Sequence, residues 1–178
     1  MSRHRGPRRA TPGGAESDLG GVVEVVRSSV VRAPRERVWA RIVTPCGVAH
    51  EFGPLLTMRF PAALVGTSIA DVPTGRPVGR AWILLAGVIP LEFDDLTILE
   101  VSPPRYFRER SRLGSCRAWE HHRDLEALSD GTTRVTDTLR AVPRAVLPRP
   151  VVRAVVGALF THRHRRLVRW ADATGGTR

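Results

Sequence analysis

Apolar residues recur at alternate positions over most of this chain, and that period predicts strands. Val22 to Arg32, rich in Val and Ser, reads as a long first strand broken by Ala33-Pro34. Pro34 suits the first turn of a helix, Val38, Trp39 and Ile42 give that helix an apolar stripe, and Thr44-Pro45 ends it. Residues 46–60 keep no single period; Val48, Phe52, Leu55 and Leu56 fit a second short helix broken at Gly53-Pro54. Ala62 to Asp71 and Val78 to Val88 read as strands around the turn-like Pro73-Thr74-Gly75-Arg76-Pro77. Phe93 to Val101 is a further strand, stopped by Pro103-Pro104.

Between Arg105 and Val142 the alternation is strict, and its apolar register admits charged residues. Phe107, Glu109 and Ser111 share one register; Trp119, His121, Arg123 and Leu125 share the next; Val135, Asp137 and Leu139 share the third. The opposite register of the middle segment, Ala118, Glu120, His122, Asp124 and Glu126, fits only a wet face. Glu109, His121, Arg123 and Asp137 are therefore predicted on the inner face of a sheet, where charge is costly unless it is paired or used.

After Pro143, Pro148 and Pro150 the chain closes with a helix from about Pro150 to Ala173. At about 100° per residue, Val152, Val155, Val156, Leu159, Phe160, Leu167 and Trp170 share one face, with Arg163 near its middle and Arg165 and Arg169 pointing away. An arginine inside an apolar stripe needs a carboxylate. The inner register of the sheet offers Glu109 and Asp137, so Arg163 is expected to pair with at least one of them, close to His121 and Arg123.

The order is strand, one or two short helices, about six consecutive strands, then a long helix, which implies an antiparallel meander covered by that helix. Three stretches carry a family resemblance: Ser28-Ser29-Val30-Val31-Arg32-Ala33-Pro34-Arg35-Glu36-Arg37-Val38-Trp39, Val101-Ser102-Pro103-Pro104-Arg105-Tyr106-Phe107 with the Trp119-x-His121-x-Arg123 strand, and the closing Leu159 to Leu167. Over residues 21–172 the chain resembles the helix-grip proteins of the START, polyketide cyclase/dehydrase and pollen-allergen superfamily (SRPBCC). The resemblance implies an α+β fold in which a curved antiparallel sheet of about seven strands wraps around the C-terminal helix, with an apolar cavity between them. It also implies a hydrophobic ligand such as a lipid or polyketide; some members are cyclases or dehydratases, others have no known catalysis.

Composition narrows the rest. The 178 residues are 42% hydrophobic and 25% charged, ordinary for one globular domain, expected at 21–173. Residues 1–20 read as a disordered Arg-rich tail and 174–178 as a disordered C-terminus. The net charge is +11, and all 28 basic residues are Arg, so part of the excess reflects composition rather than a partner. A tail carrying Arg3, Arg5, Arg8 and Arg9 allows contact with nucleic acid or acidic lipid, but a solvated tail is the simpler expectation. Two cysteines without metal-like spacing, no secretory-type apolar stretch and no run long enough to span a membrane suggest a reduced, cytoplasmic setting.

Other chemistry fails on geometry. His121 and His122 point to opposite faces, His162 and His164 are about 160° apart on a helix, and Asp94 and Asp95 diverge, so neither a metal site nor a paired-carboxylate site is expected. No Gly-rich phosphate loop or nucleophile motif occurs, and no cofactor is implied. Trp82 to Ile89 is apolar in both registers, which calls for cover on both faces by the N-terminal helices or loops, a homodimer, or a membrane-facing edge. The expected ligand-binding set is Trp82, Phe107, Glu109, Trp119, His121, Arg123, Asp137 and Arg163. Within it the charges either form a structural network or orient a carbonyl or hydroxyl of an apolar ligand. General acid–base catalysis by His121, of cyclase or dehydratase type, is the narrower alternative.

Overall fold

The computed structural model describes residues 21–175. Seven antiparallel strands form one sheet in the order β1-β7-β6-β5-β4-β3-β2: β1 Val23–Val31, β2 Leu56–Arg59, β3 Pro77–Leu85, β4 Ile89–Ser102, β5 Tyr106–Leu113, β6 Cys116–Ala127 and β7 Thr133–Pro143. Two short helices, α1 (Arg35–Ile42) and α2 (Pro45–Phe52), follow β1, and the 27-residue α3 (Arg149–Gly175) ends the fold. The sheet curls around α3, giving the expected α+β helix-grip architecture. The expected tail over residues 1–20 and the last three residues lie outside the described residues, while Thr174 and Gly175, expected beyond the helix, continue it.

Local chemistry accounts for the short helices. Glu36 in the first turn of α1 and Arg41 in the last complement the helix dipole. Thr44 caps α2 by accepting from the Gly47 amide at 3.1 Å, and Pro45 takes the first helical position. The corner between the helices is so tight that a Cβ on Gly47 would lie 1.8 Å from the carbonyl oxygen of Arg41.

Two expectations are corrected. Ala62 to Asp71 is not a strand but two 3-10 turns, Ala62–Leu64 and Ile69–Asp71. Gly66 between them has a φ of 75°, and Ser68 caps the second turn by accepting from the Ala70 amide at 3.0 Å. These local bonds defeat strand extension, and Leu64 plugs the interior against Leu96 and Ile98. The missing strand is instead β2, from the segment without a clear period. The run ending at Val88 also breaks earlier: Ala86 and Gly87, with φ of 50° and 74°, form the left-handed turn of the β3–β4 hairpin.

The core has two main apolar bodies on either side of the charged cluster. One joins Val31, Val38, Ile42, Val135, Leu167 and Ala171; the other joins Val25, Trp119, Leu139, Val152, Val156 and Phe160. Arg163 and His164 of α3 are buried between these bodies. Because α2 enters this region through the Gly47 corner, Gly47→Ala is expected to destabilise the fold by about 2–3 kcal/mol. Urea unfolding measures it, and an unchanged midpoint would contradict the tight corner.

Candidate functional site

Register builds the site. Arg123 stands opposite Asp137 across β6 and β7, and His121 stands opposite Glu109 across β5 and β6. Asp137, at 0% exposure, accepts from Arg123 through both oxygens, Nε at 2.6 Å and Nη2 at 2.7 Å. Its Oδ1 also contacts His121 Nε2 at 2.7 Å, and its Oδ2 contacts His164 Nε2 at 2.8 Å. Arg123, also 0% exposed, turns its remaining donors to Glu51 of α2, with Nη1 at 2.9 Å from Oε1. Arg163 Nε donates to the same carboxylate at 3.0 Å while its guanidinium lies over the rings of Phe52 and Phe160. Arg163 therefore pairs with Glu51, and the expectation of Glu109 or Asp137 as its partner is corrected: the α2 carboxylate reaches it first.

Protonation follows from this pairing. Burial opposes charge on Glu51, but Arg123 and Arg163 outweigh it and hold its pKa below the usual carboxylate value. Burial likewise opposes ionisation of Asp137, and Arg123, then His121, hold it well below. Desolvation would lower the pKa of His121, yet the carboxylates of Asp137 and Glu109 outweigh it and raise it. As an imidazolium His121 donates from both nitrogens, Nδ1 to Glu109 at 2.9 Å and Nε2 to Asp137 at 2.7 Å. Neither nitrogen is left for another molecule.

Beside this network a cavity of about 370 Å³ lies between the sheet, α2 and α3. Its walls are mostly apolar, including Phe52, Met58, Leu96, Trp119, Leu159 and Phe160. It reaches the surface where the exposed Leu91 of β4 faces Val151 and Val155 of α3. Val155, expected within the buried stripe, is 60% exposed at this opening, while Val152 and Val156 beside it are buried.

Of the expected set, Phe107, Glu109, Trp119, His121 and Arg163 line the cavity, whereas Arg123 and Asp137 lie behind it in the network. Trp82 does not join them. It is 41% exposed on the outer face, packed edge-on against Phe93 with the Arg80 guanidinium nearby. Ala81 and Ile83 turn inward instead, so Trp82 falls in the outward register, and the two-sided apolar run is partly a hairpin. The run meets solvent at Trp82, and again at Leu85, Val88 and Ile89 around the hairpin, while Leu84 is buried.

Three interior residues escaped the sequence reading. Glu51 was hidden in the segment without a clear period, although Val48, Glu51 and Phe52 have the i, i+3, i+4 spacing of one helix face. His164, rejected as half of a metal pair, bridges Asp137 to the Ser29 hydroxyl, which lies 2.8 Å from Nδ1. Asp94 lies in the inward register with Leu96 and Ile98, while Asp95 turns outward to Arg80 at 2.6 Å. Asp94 lines the cavity at 7% exposure, and its Oδ1 has no hydrogen-bond partner among the described residues. Burial, then the charge of Glu109, push its carboxyl up to about 7, with Ser111 and His121 offsetting part of the rise.

A seven-stranded sheet gripping a long helix around an apolar cavity defines a START-like helix-grip domain. The chain belongs to the family described as a domain of unknown function, DUF8410, whose model matches residues 29–171. Solved structures share the fold. Protein CV1439 from Chromobacterium violaceum superposes with a TM-score of 0.65 at 16% identity, over 85% of this chain and 97% of that one. A START superfamily protein from Mycobacterium smegmatis gives 0.61 at 12% identity, over 84% and 97%. DynU16, a protein of the dynemicin biosynthetic locus, gives 0.55 at 21% identity, over 87% of this chain and 48% of that one. No curated protein sequence matches the chain.

Two outcomes test this geometry. Glu51→Ala leaves Arg123 and Arg163 without a shared carboxylate and is expected to cost about 3–5 kcal/mol in urea unfolding; a loss below about 1 kcal/mol would contradict the pairing. Asp94 titrates at about 7 when folded against an ordinary 3.8, so its contribution to stability is whole below the lower value and lost as pH rises through the upper. Asp94→Asn escapes that loss. Its melting temperature relative to the wild type is therefore expected to rise between about pH 5 and pH 8, whereas parallel curves would refute the shift.

Proposed function

We propose that this domain binds a small molecule with an apolar body and one polar end, held in the cavity between the sheet and α3. The cavity itself carries this reading: about 370 Å³, walled mainly by aliphatic and aromatic side chains, with Asp94, Glu109, His121 and Arg163 among its polar lining groups. Binding sites for small molecules commonly combine these properties, apolar walls providing affinity and a few polar groups fixing orientation. Glu109 and Asp94 are the polar groups placed to meet the ligand. His121 and Arg163 also line the cavity but are already engaged by carboxylates. That engagement supports binding over proton transfer by His121, because a general base needs a free nitrogen within reach of the ligand. The START-type and biosynthetic-locus proteins that share the fold fit a binder of apolar molecules, without naming the molecule.

Nile red, a neutral dye whose emission rises in apolar surroundings, tests the reading. It is expected to bind the wild type and to be displaced by decan-1-ol. Met58→Trp, which adds bulk at the cavity wall, is expected to weaken dye binding about tenfold or more, against no change for Val88→Ser on the exposed hairpin. Dye that binds both variants equally would place it elsewhere and refute the cavity as the site.

A further inference from the structure

Among the described residues, five carboxyl groups turn toward the interior, and four of them are provided for. Glu51 has Arg123 and Arg163, Asp137 has Arg123, His121 and His164, and Glu109 has His121. Glu92 accepts from the backbone amides of Phe93 and Gly114 through Oε1 and of Ser115 through Oε2. Asp94 is the exception. It is buried, at 7% exposure, it lines the cavity, and its Oδ1 has no partner. The buried Ser111 hydroxyl on the neighbouring strand lies near enough to Asp94 to offset part of its shift, but outside hydrogen-bonding geometry.

The surroundings of Asp94 show what is missing. On its own strand Glu92 is held by backbone amides, and Asp95 lies on the opposite face in a two-bond pair with Arg80. From β5 it meets the charge of Glu109 and the hydroxyl of Ser111, and from β6 the charge of His121, which is shared between two other carboxylates. The cationic side chain that α3 contributes to the cavity, Arg163, is committed to Glu51. No protein cation is thus assigned to Asp94, in a fold that supplies one to each of the other carboxylates of its inner charged network.

We propose that the cavity takes a ligand whose polar end is cationic, a protonated amine on an apolar body, seated against Asp94 with Glu109 nearby. This rests on the binding reading above and specifies its ligand class. A carboxylate end would meet two acidic groups and be repelled. A hydroxyl could donate one hydrogen bond to Asp94 but would leave its charge uncompensated, whereas an ammonium supplies both donors and charge. The raised pKa of Asp94 agrees with this, since a bound cation favours the ionised form and removes the cost of keeping it there.

Calorimetric titration with decylamine, decan-1-ol and decanoate compares the three polar ends on one apolar body. Decylamine is expected to bind about tenfold or more tightly than decan-1-ol near pH 7.5, with decanoate weakest. Asp94→Asn, checked by Asp94→Ser, is expected to remove the amine's advantage over decan-1-ol, the two ligands being compared within each variant. In the wild type the amine should also bind more tightly as pH rises from about 6 to 8 and Asp94 ionises, a trend lost in Asp94→Asn. If decan-1-ol binds as tightly as decylamine, or the amine's advantage survives in both variants, the cationic ligand is refuted while the cavity reading stands. If none of the three binds and Nile red does not bind, the cavity reading itself is refuted.

Discussion

Arg123 is the point on which this structure is assembled. Its planar guanidinium meets Asp137 on the neighbouring strand along one edge and Glu51 of α2 along another. Each of those carboxylates then reaches α3, Asp137 through His164 and Glu51 through Arg163. One buried cation thus ties three layers that share no backbone hydrogen-bonding ladder: the sheet, a short helix and the long helix. Apolar packing alone leaves a helix some freedom to slide and rotate over a sheet. A chain of directional charge-assisted bonds selects one position, because any shift strands a buried charge.

The cavity follows from that fixed position. The apolar bodies on either side of the charged seam pack closely, but α2 and the first half of α3 stand away from β3, β4 and β5, and the gap between them is the cavity. Glu109, His121 and Arg163 serve both regions, with one side in the network and the other at the cavity wall. Their commitment to the network also sets their role at the wall. They shape its electrostatic field, while Asp94 retains an unused hydrogen-bonding atom.

How much of this was legible in the sequence depended on whether local period and tertiary contact agreed. The inward placement of Glu109, His121, Arg123 and Asp137 was legible because β5, β6 and β7 keep an unbroken two-residue alternation. The helix-grip order was legible from the succession of strands before one long amphipathic helix. Where a bend or turn interrupted the period, the reading failed. Gly66 and the Ser68 cap turned an apolar run into two 3-10 turns, and the hairpin at Ala86-Gly87 cut another short. Trp82 was misplaced because its run is apolar in both registers, and only the fold shows that Ala81 and Ile83 take the inner one. Glu51 sits on an eight-residue helix, too short for its face to stand out. Its pairing with Arg163 spans 112 positions in the chain, a contact that no local pattern encodes.

The anchoring of α3 is unequal along its length. From Phe160 to Ala171 it combines buried apolar contacts with the charged bonds of Arg163 and His164, whereas its first turns are held by apolar residues such as Val152 and Val156 and leave Val151 and Val155 exposed. Local opening is easiest where buried contacts are fewest. The first turns of α3 lack the directional charged bonds that fix its later turns in register. The register of the long helix is thus set in its second half, where Arg163 and His164 meet their carboxylates.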